Sequence, residues 1–449
     1  MNLVRGLVML GLVVPACAQY AGPAILSRGE APAAMAAPKV DFSFSLALTA
    51  NYTTGLAGVS APNSQGQLAD QASYGESATL GVSGAHSWKH SHLGLSYSGS
   101  FSHYGTAGYF DGLSQGLSFG LSHEFSRHIN FSLRESAGMF TQFAPATVSL
   151  NSSVPFDPSQ SNIPTTDFYD NRTIYSTTQM GVTIQKSSRL SFNLGVGYFV
   201  NVRRSSALYG VTGETATGDV QYRVSRRVTL GADYSFSHYS YTHSFGGTFV
   251  HTAGVTVSVR LSRWTEFSIL GGFSRAESSF EQTVPIDPAI LEILCPPSLV
   301  LACPLTGGTV ISHQILWGPD FTARLSRSFH RGVAYVSAGE SITPGNGLFL
   351  TSRMATALAG YGYSGLRKWS LNLSANYATA LSLGNVAGNY GQISGSYGMS
   401  RQILKSLSLV SSFSATQYQS RSFTGYNRLI YSASVGLGFS SNNIPVRFF

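Results

Sequence analysis

Charge is scarce in this chain, and long apolar runs are nearly absent. Of its 449 residues only 11% are Asp, Glu, Lys or Arg, whereas a soluble domain carries about 25%. Aromatic residues make up 12%, and an intrinsically disordered chain is poor in them. Apart from the first segment, no stretch approaches the roughly 20 consecutive apolar residues of a membrane-spanning helix. The composition therefore argues against an ordinary soluble domain, a disordered chain and a helical membrane protein.

The first eighteen residues have the pattern of an export signal. A positive charge at Arg5 precedes the apolar segment 7–14, and residues 16–18 read Ala-Cys-Ala, a small-residue cleavage motif. We expect the mature chain to begin at Gln19. Cys17 also resembles the cysteine of a lipoprotein signal, so its lipidation is an open alternative.

Cysteine is rare too, with three in the whole chain. Removal of the signal leaves Cys295 and Cys303, separated by seven residues. Exported proteins form disulfides, and zinc sites usually space their cysteines by two to four residues with further ligands nearby. The spacing favours a disulfide over a metal site, and we expect it to act as a loop clip.

The abundant feature is an alternation of apolar and small polar residues with period 2. A β-strand with two unlike faces has this pattern, whereas an amphipathic helix groups apolar residues three and four apart. The clearest example is 93–102, in which Leu93, Leu95, Tyr97 and Phe101 alternate with serine and glycine. Alternation between lipid and water predicts an all-β fold: a transmembrane up-and-down antiparallel β-barrel.

Two kinds of connection separate the alternating segments. Eight are short and basic, and nine are longer and richer in Gly, Pro, Asn and acid. Seventeen connections predict about 18 strands, within a range of 16 to 18, with both termini on the short-turn side. The two longest loops, 144–172 and 278–309, are expected to narrow the outer mouth.

Tryptophans gather at the short turns. Trp88, Trp264 and Trp369 lie there, accompanied by Phe125 and Phe329. Aromatic side chains prefer the membrane interfaces. We therefore predict that these residues form a periplasmic aromatic girdle.

Several charged residues lie on the face of small polar residues, which is predicted to line the lumen. If the turn at 225–227 is centred on Arg226, Asp219 lies opposite Asp233, and a turn centred on Arg263 sets Arg260 opposite Glu266. Arg260 is further expected to lie diagonal to Asp233. With Arg223, four residues from Asp219, these residues predict a transverse, pore-lining charge ladder in the periplasmic half. A set of salt bridges that stiffens the wall is the alternative.

One acid breaks the alternation. Glu135 shares its parity with Ile129, Phe131 and Leu133, and would face lipid. A charged side chain there is unfavourable. A bulge, or an error in the assigned parity, is the expected cause.

The search for catalytic chemistry is mostly negative. His86, His90 and His92 crowd one turn but are better explained as exposed turn residues than as metal ligands. An outer-membrane hydrolase would need Ser, His and an acid to converge on one surface, which a sequence cannot show. No phosphate-binding loop or nucleic-acid module is found. We expect no catalytic residues, no metal, no cofactor and no nucleic-acid partner, and a protein that is not an enzyme.

The last strand resembles those of barrels handed to the barrel-assembly machinery. Its alternating residues are Tyr431, Ala433, Val435, Leu437 and Phe439, and the chain ends in Phe449. The pattern departs from the usual one because residues 440–447 intervene. Together with the barrel pattern, the chain resembles bacterial outer-membrane β-barrels of the porin class, some of which accompany exopolysaccharide export. The resemblance implies contact with outer-membrane lipid, the assembly machinery and polysaccharide-export components.

The predicted organisation is a signal peptide (1–18), a flexible periplasmic leader (19–39), a barrel (40–440) and a C-terminal tail (441–449). The predicted location is the outer membrane of a Gram-negative-type bacterium. The predicted function is a channel for hydrophilic solutes or a secreted polysaccharide, because an 18-strand barrel is wide enough for an aqueous lumen. A non-transporting barrel that acts as a surface scaffold or adhesin through its loops is the alternative.

Overall fold

The structure is a computed structural model. It describes residues 41–54, 72–105, 111–140, 172–204, 208–242, 244–284, 308–345, 350–363, 366, 368–383, 388–420, 428–441 and 444–445. The export signal, the leader, Cys295, Cys303 and the loop 144–171 lie outside these residues.

The described chain is a succession of strands. In order they are β1 (Asp41–Thr53), β2 (Ser73–Ser87), β3 (Ser91–Tyr104), β4 (Gly112–Ser126), β5 (Ile129–Phe140), β6 (Thr173–Gln185), β7 (Leu190–Arg203), β8 (Val211–Arg223), β9 (Val228–Tyr241), β10 (Gly247–Ser262), β11 (Thr265–Val284), β12 (Gly308–Phe329), β13 (Gly332–Thr343), β14 (Ser352–Tyr363), β15 (Trp369–Ser382), β16 (Asn389–Gln402), β17 (Leu407–Ser420), β18 (Arg428–Ser440) and β19 (Ile444–Pro445).

Each strand from β1 to β18 pairs antiparallel with the next, and β18 pairs with β1, so the sheet closes. Over the height at which all eighteen strands pair, the closed sheet leaves no strand edge, and its backbone groups are hydrogen-bonded to neighbouring strands. The two-residue strand β19 continues along β1, with Ile444 opposite Phe42. The predicted all-β, up-and-down antiparallel barrel of about 18 strands is confirmed.

The two faces of the sheet differ as the alternation requires. Large apolar side chains such as Leu95, Leu194 and Val255 are exposed on the outer face, at 52%, 57% and 57%. Inward positions hold mainly Ser, Thr, Asn and Gly, many of them buried against the wall. A closed barrel of even strand number with an apolar outer face is the architecture of Gram-negative outer-membrane proteins. The predicted location in the outer membrane is thereby confirmed.

Among the described residues, no helix is long and apolar enough to span a membrane.

The barrel rim is uneven on the long-loop side. Strands β11 and β12 stay paired up to Val284 and Gly308, so the predicted loop 278–309 is shorter than expected. The pairing of β12 with β13 ends at Phe321 and Glu340. Above that level β13 and β14 have separated from β12, which leaves the β13–β14 hairpin free to take a different direction.

The irregularity expected at Glu135 is absent. Strand β5 keeps an unbroken register with both neighbours from Asn130 onward, and the one register shift on this pair lies between Glu124 and Ser126. Glu135 lies opposite Phe119 on β4 and Thr178 on β6. It faces outward, so the explanation by a bulge or a parity error is wrong.

Candidate functional site

The inner wall of the barrel holds the predicted charged residues in two separate groups. Asp219 on β8 lies directly opposite Asp233 on β9, as expected from the turn at 225–227. Arg260 on β10 lies opposite Glu266 on β11, also as expected. A short turn fixes the register of the strands that it joins, and both registers are confirmed.

The expected diagonal contact between Arg260 and Asp233 is wrong. The longer β9–β10 connection sets Asp233 opposite Gly254, which lies six residues from Arg260. Six residues of strand span about 20 Å. The Arg260–Glu266 pair therefore belongs to the rim at the short turns, and the two aspartates lie well above it.

A third aspartate joins the first two. Following the registers from β8 to β12, one transverse row contains Asp219, Asp233, Gly254, Gly272 and Asp320. We call these five residues the acid row. Glycine occupies the two positions between Asp233 and Asp320, so no side chain separates these carboxylates along the wall.

Each carboxylate of the acid row accepts a hydrogen bond from a neighbouring strand. Asn193 Nδ2 donates to Asp219 over 2.9 Å, and Thr256 Oγ1 donates to Asp233 over 3.3 Å. Ser274 Oγ donates to Asp320 over 3.2 Å. These neutral donors orient the carboxylates and leave their charges unneutralised.

Arginines lie nearer the short turns. Arg223 and Arg324 occupy one row, joined across the wall by Thr229, Ser258 and Ser268. This row lies four residues, about 13 Å, below the acid row. Arg223 Nε donates to the carbonyl of Ser225 over 3.2 Å. Arg260 and Glu266 follow one alternation step further down, joined by a salt bridge of 3.1 Å.

The β13–β14 hairpin enters the mouth of the barrel. Ile342 near the end of β13 packs in one apolar cluster with inward-facing side chains of β7 to β11. The members of this mouth cluster are Phe199, Val211, Tyr239, Val250, Ala276 and Ile342, with Tyr241 and Leu383 against it. Ile342 can reach these residues because β13 has left β12 at this height.

Hydroxyl groups hold the hairpin in place. Thr351, directly before β14, shares hydrogen bonds with Tyr241 (2.8 Å) and Thr248 (2.7 Å) on the inner faces of β9 and β10. Thr248 also bonds Ser278 at 3.0 Å. Thr351 itself is 1% exposed. The hairpin therefore covers the inner wall above the acid row and narrows the lumen there.

A charged pair accompanies the hairpin. Arg353 forms a salt bridge with Glu340 on the neighbouring strand. A Cβ atom added at Gly318 would lie 3.9 Å from Arg353 Nε, so the guanidinium rests near the β12 backbone. Gly318 is two residues from Asp320. Glu340 and Arg353 therefore lie at the edge of the acid row.

The other half of the lumen is neutral. Away from their ends, β14–β18 and β1–β4 show no Asp, Glu, Lys or Arg among their described inward-facing residues. Serines lie opposite one another and bond across strands, and we call this half the hydroxyl wall. The pairs are Ser43–Ser83 (2.5 Å), Ser96–Ser118 (2.5 Å), Ser370–Ser400 (2.7 Å), Ser374–Ser396 (2.6 Å) and Ser412–Ser434 (2.7 Å).

The sequence reading missed Asp320 and the mouth cluster, although a signal for each was present. Asp320 shares its parity with Thr322 and Ser326, on the polar face of β12. Phe199 lies on the same face of β7 as Ser191, so it is an apolar residue on the polar, inward face. A large apolar side chain at an inward position indicates a contact inside the barrel.

The aromatic residues assigned to the girdle lie at the short-turn side. Trp88 and Trp264 are in short turns and are exposed, and Trp369 begins β15 with Arg401 5.0 Å over its ring. Their role as a periplasmic girdle stays a prediction. The Cys295–Cys303 disulfide also stays a prediction. Among the described residues, no group of three or more His, Cys, Asp or Glu could hold a metal ion.

No protein-family model and no curated protein matches the sequence. Solved structures with a similar fold include Pseudomonas aeruginosa OpdQ, at 10% identity and a TM-score of 0.42, over 90% of this chain and 97% of that one. Pseudomonas aeruginosa OccK2 (OpdF) is 10% identical with a TM-score of 0.43, over 91% and 100%. The ferric citrate transporter FecA is 12% identical with a TM-score of 0.44, over 89% and 64%. The fold assignment rests on the strand pairing of this chain.

Proposed function

We propose that the barrel is an outer-membrane channel for small hydrophilic solutes and that it prefers cations. The acid row supports this proposal most directly. Three carboxylates cross one side of the lumen, and the described side chains on neighbouring strands that donate to them, Asn193, Thr256 and Ser274, are all neutral. Charges beside an aqueous passage with low-dielectric walls focus the field and raise the local concentration of counter-ions. Arg223 and Arg324 lie about 13 Å below this row, so the negative field is strongest at the height of the acid row itself. Away from its strand ends, the hydroxyl wall has no described inward charge that would oppose it.

Transport of a secreted polysaccharide finds less support. A glycan track needs ring faces that are open to the lumen, because sugars stack their apolar faces on aromatic rings. Three inward-facing rings, those of Tyr104, Tyr175 and Phe199, are buried, at 2%, 2% and 6% exposed. Tyr335 and Tyr418 are half-buried at inward positions of distant strands, β13 and β17, and do not form a continuous row of open rings. The loops that a scaffold or adhesin would use lie largely outside the described residues, and no observation favours that function.

Reversal potentials in planar bilayers under a potassium chloride gradient test the proposal. We expect cation preference in the wild type, and a shift towards zero potential in the triple variant Asp219→Asn, Asp233→Asn, Asp320→Asn. The Arg260→Gln variant should shift the potential in the opposite direction, because it leaves Glu266 uncompensated. Ser412→Asn on the hydroxyl wall is the matched control and should leave it unchanged.

Two results would contradict the proposal. Correctly assembled protein that passes no current would exclude a channel. Equal reversal potentials for the wild type and the triple variant would show that the acid row only builds the wall.

A further inference from the structure

Glu135 is an ionisable side chain in the middle of the lipid-facing surface. It lies six residues above the start of β5 and five below its end. The other outward-facing acids and arginines of the described strands lie nearer a strand end or, for Arg275 and Glu277 on the long β11, near the end of the adjoining β10. Glu135 is exposed and has no hydrogen bond or ion pair within the described part of the chain.

Such a side chain is costly in hydrocarbon. Ionisable residues that face lipid are rare, and they usually pair with another group or mark a contact. The unbroken register of β5 removes any local distortion that could turn Glu135 away. In the described part of the chain the carboxyl group makes no hydrogen bond, and a contact from outside the barrel would supply one.

A hydrogen-bond donor lies directly beside Glu135 on the same outer face. Thr178 on β6 is its register partner, and Ser176 lies one alternation step further along β6. Two copies of a barrel inserted in the same direction can form a two-fold pair only about an axis along the membrane normal. Such an axis between β5 and β6 sets β5 of one copy against β6 of the other.

This symmetry makes the surface self-complementary. Glu135 of each copy meets Thr178 of the other, so the acceptor and the donor are satisfied twice, as a two-fold interface requires. Exposed apolar side chains flank the pair and can pack in the same contact, among them Ile174 at 60% and Met180 at 44%. Hydrogen bonds between polar side chains are a recognised source of association in membranes.

We propose that the protein forms a two-fold dimer through the outer faces of β5 and β6, held by reciprocal Glu135–Thr178 hydrogen bonds. The inference does not depend on channel activity. It predicts a dimer whether or not the barrel conducts.

Native mass spectrometry of the full-length protein released from lipid nanodiscs tests the dimer. The wild type should be dimeric. Glu135→Leu should be monomeric, whereas Glu135→Gln should stay dimeric because the amide oxygen still accepts from Thr178. Thr178→Val removes both donors and should raise the dimer dissociation constant by roughly tenfold or more. Ser411→Leu, a polar outward residue of β17, is the matched control and should stay dimeric.

A photoreactive side chain at Met180 locates the interface. It should cross-link two copies in the wild type, and the yield of this cross-link should fall in Thr178→Val. A wild-type monomer or trimer would overturn the proposal. It would also be overturned by a dimer that survives Thr178→Val unchanged, or by cross-links from Met180 to lipid alone.

Discussion

The two halves of the inner wall share one alternation of residues but differ in what the inward positions hold. From β8 to β12 the inward face carries four carboxylates and three arginines: Asp219, Asp233, Glu266, Asp320, Arg223, Arg260 and Arg324. The hydroxyl wall holds small neutral residues, and its serines satisfy one another across strands. The strands of both halves pair continuously, although only one half has inward charges. Closing the barrel therefore does not require inward charge.

The halves differ a second time at the mouth. The charged half is covered by the β13–β14 hairpin, which packs against the mouth cluster and bonds Tyr241 and Thr248 through Thr351. No such cover is seen over the hydroxyl wall within the described residues. The hairpin therefore narrows the mouth on the side of the charged half, and the opening that remains lies beside the hydroxyl wall. In the proposed channel, a solute would enter along the hydroxyl wall and meet the acid row below the hairpin.

The largest expected effect is on the mouth cluster. Phe199→Ala should lower the free energy of unfolding by about 3 kcal/mol, because it removes a buried ring and leaves a cavity. Urea unfolding from lipid vesicles, followed by tryptophan fluorescence, measures the change.

Phe413→Ala is the control for the loss of a ring. Phe413 faces lipid and is 46% exposed, so lipid can fill the space and the loss should be smaller. Equal losses for the two variants would show that the mouth cluster is not a packed core.

A smaller effect is expected from releasing the hairpin. Thr351→Ala removes the hydroxyl bonded to Tyr241 and Thr248, at a cost of about 1 kcal/mol. The hairpin should then leave the wall more often, and single-channel conductance should rise. Thr416→Ala, on the hydroxyl wall, should leave conductance as in the wild type. A Thr351→Ala channel of unchanged conductance would mean that the hairpin does not limit the passage.

The smallest effect is expected on the hydroxyl wall itself. Ser412→Ala removes one half of a serine pair, and Ser434 can bond water from the lumen instead. The free energy of unfolding should change by no more than about 1 kcal/mol, and the reversal potential should not move. If Ser412→Ala shifted the reversal potential as far as the triple Asp→Asn variant of the acid row does, the two halves of the wall would not differ in their effect on ion preference.

The fold was predictable to a large extent because a barrel repeats one local rule. Alternation assigned the faces of 93–102, and the short turn at 225–227 set Asp219 opposite Asp233. The expected contact of Arg260 with Asp233 failed because the connection between β9 and β10 is longer, and loop length alone does not fix a register. Asp320 was missed for the same reason. The long β11–β12 connection does not fix the register of these two strands, so the sequence does not show which residues of β11 lie opposite Asp320.

The sequence by itself indicated about 18 strands in a closed antiparallel order, and the faces of the segments whose alternation is clear, such as 93–102. These follow from period 2 and from turn length, both of which are local. Only the tertiary structure decided which residues share a row across long loops and that the β13–β14 hairpin enters the mouth. The contact of Tyr241 with Thr351 joins residues 110 positions apart. It forms because β13 leaves β12 at Glu340. This separation depends on packing against five other strands, β7 to β11, which no local pattern encodes.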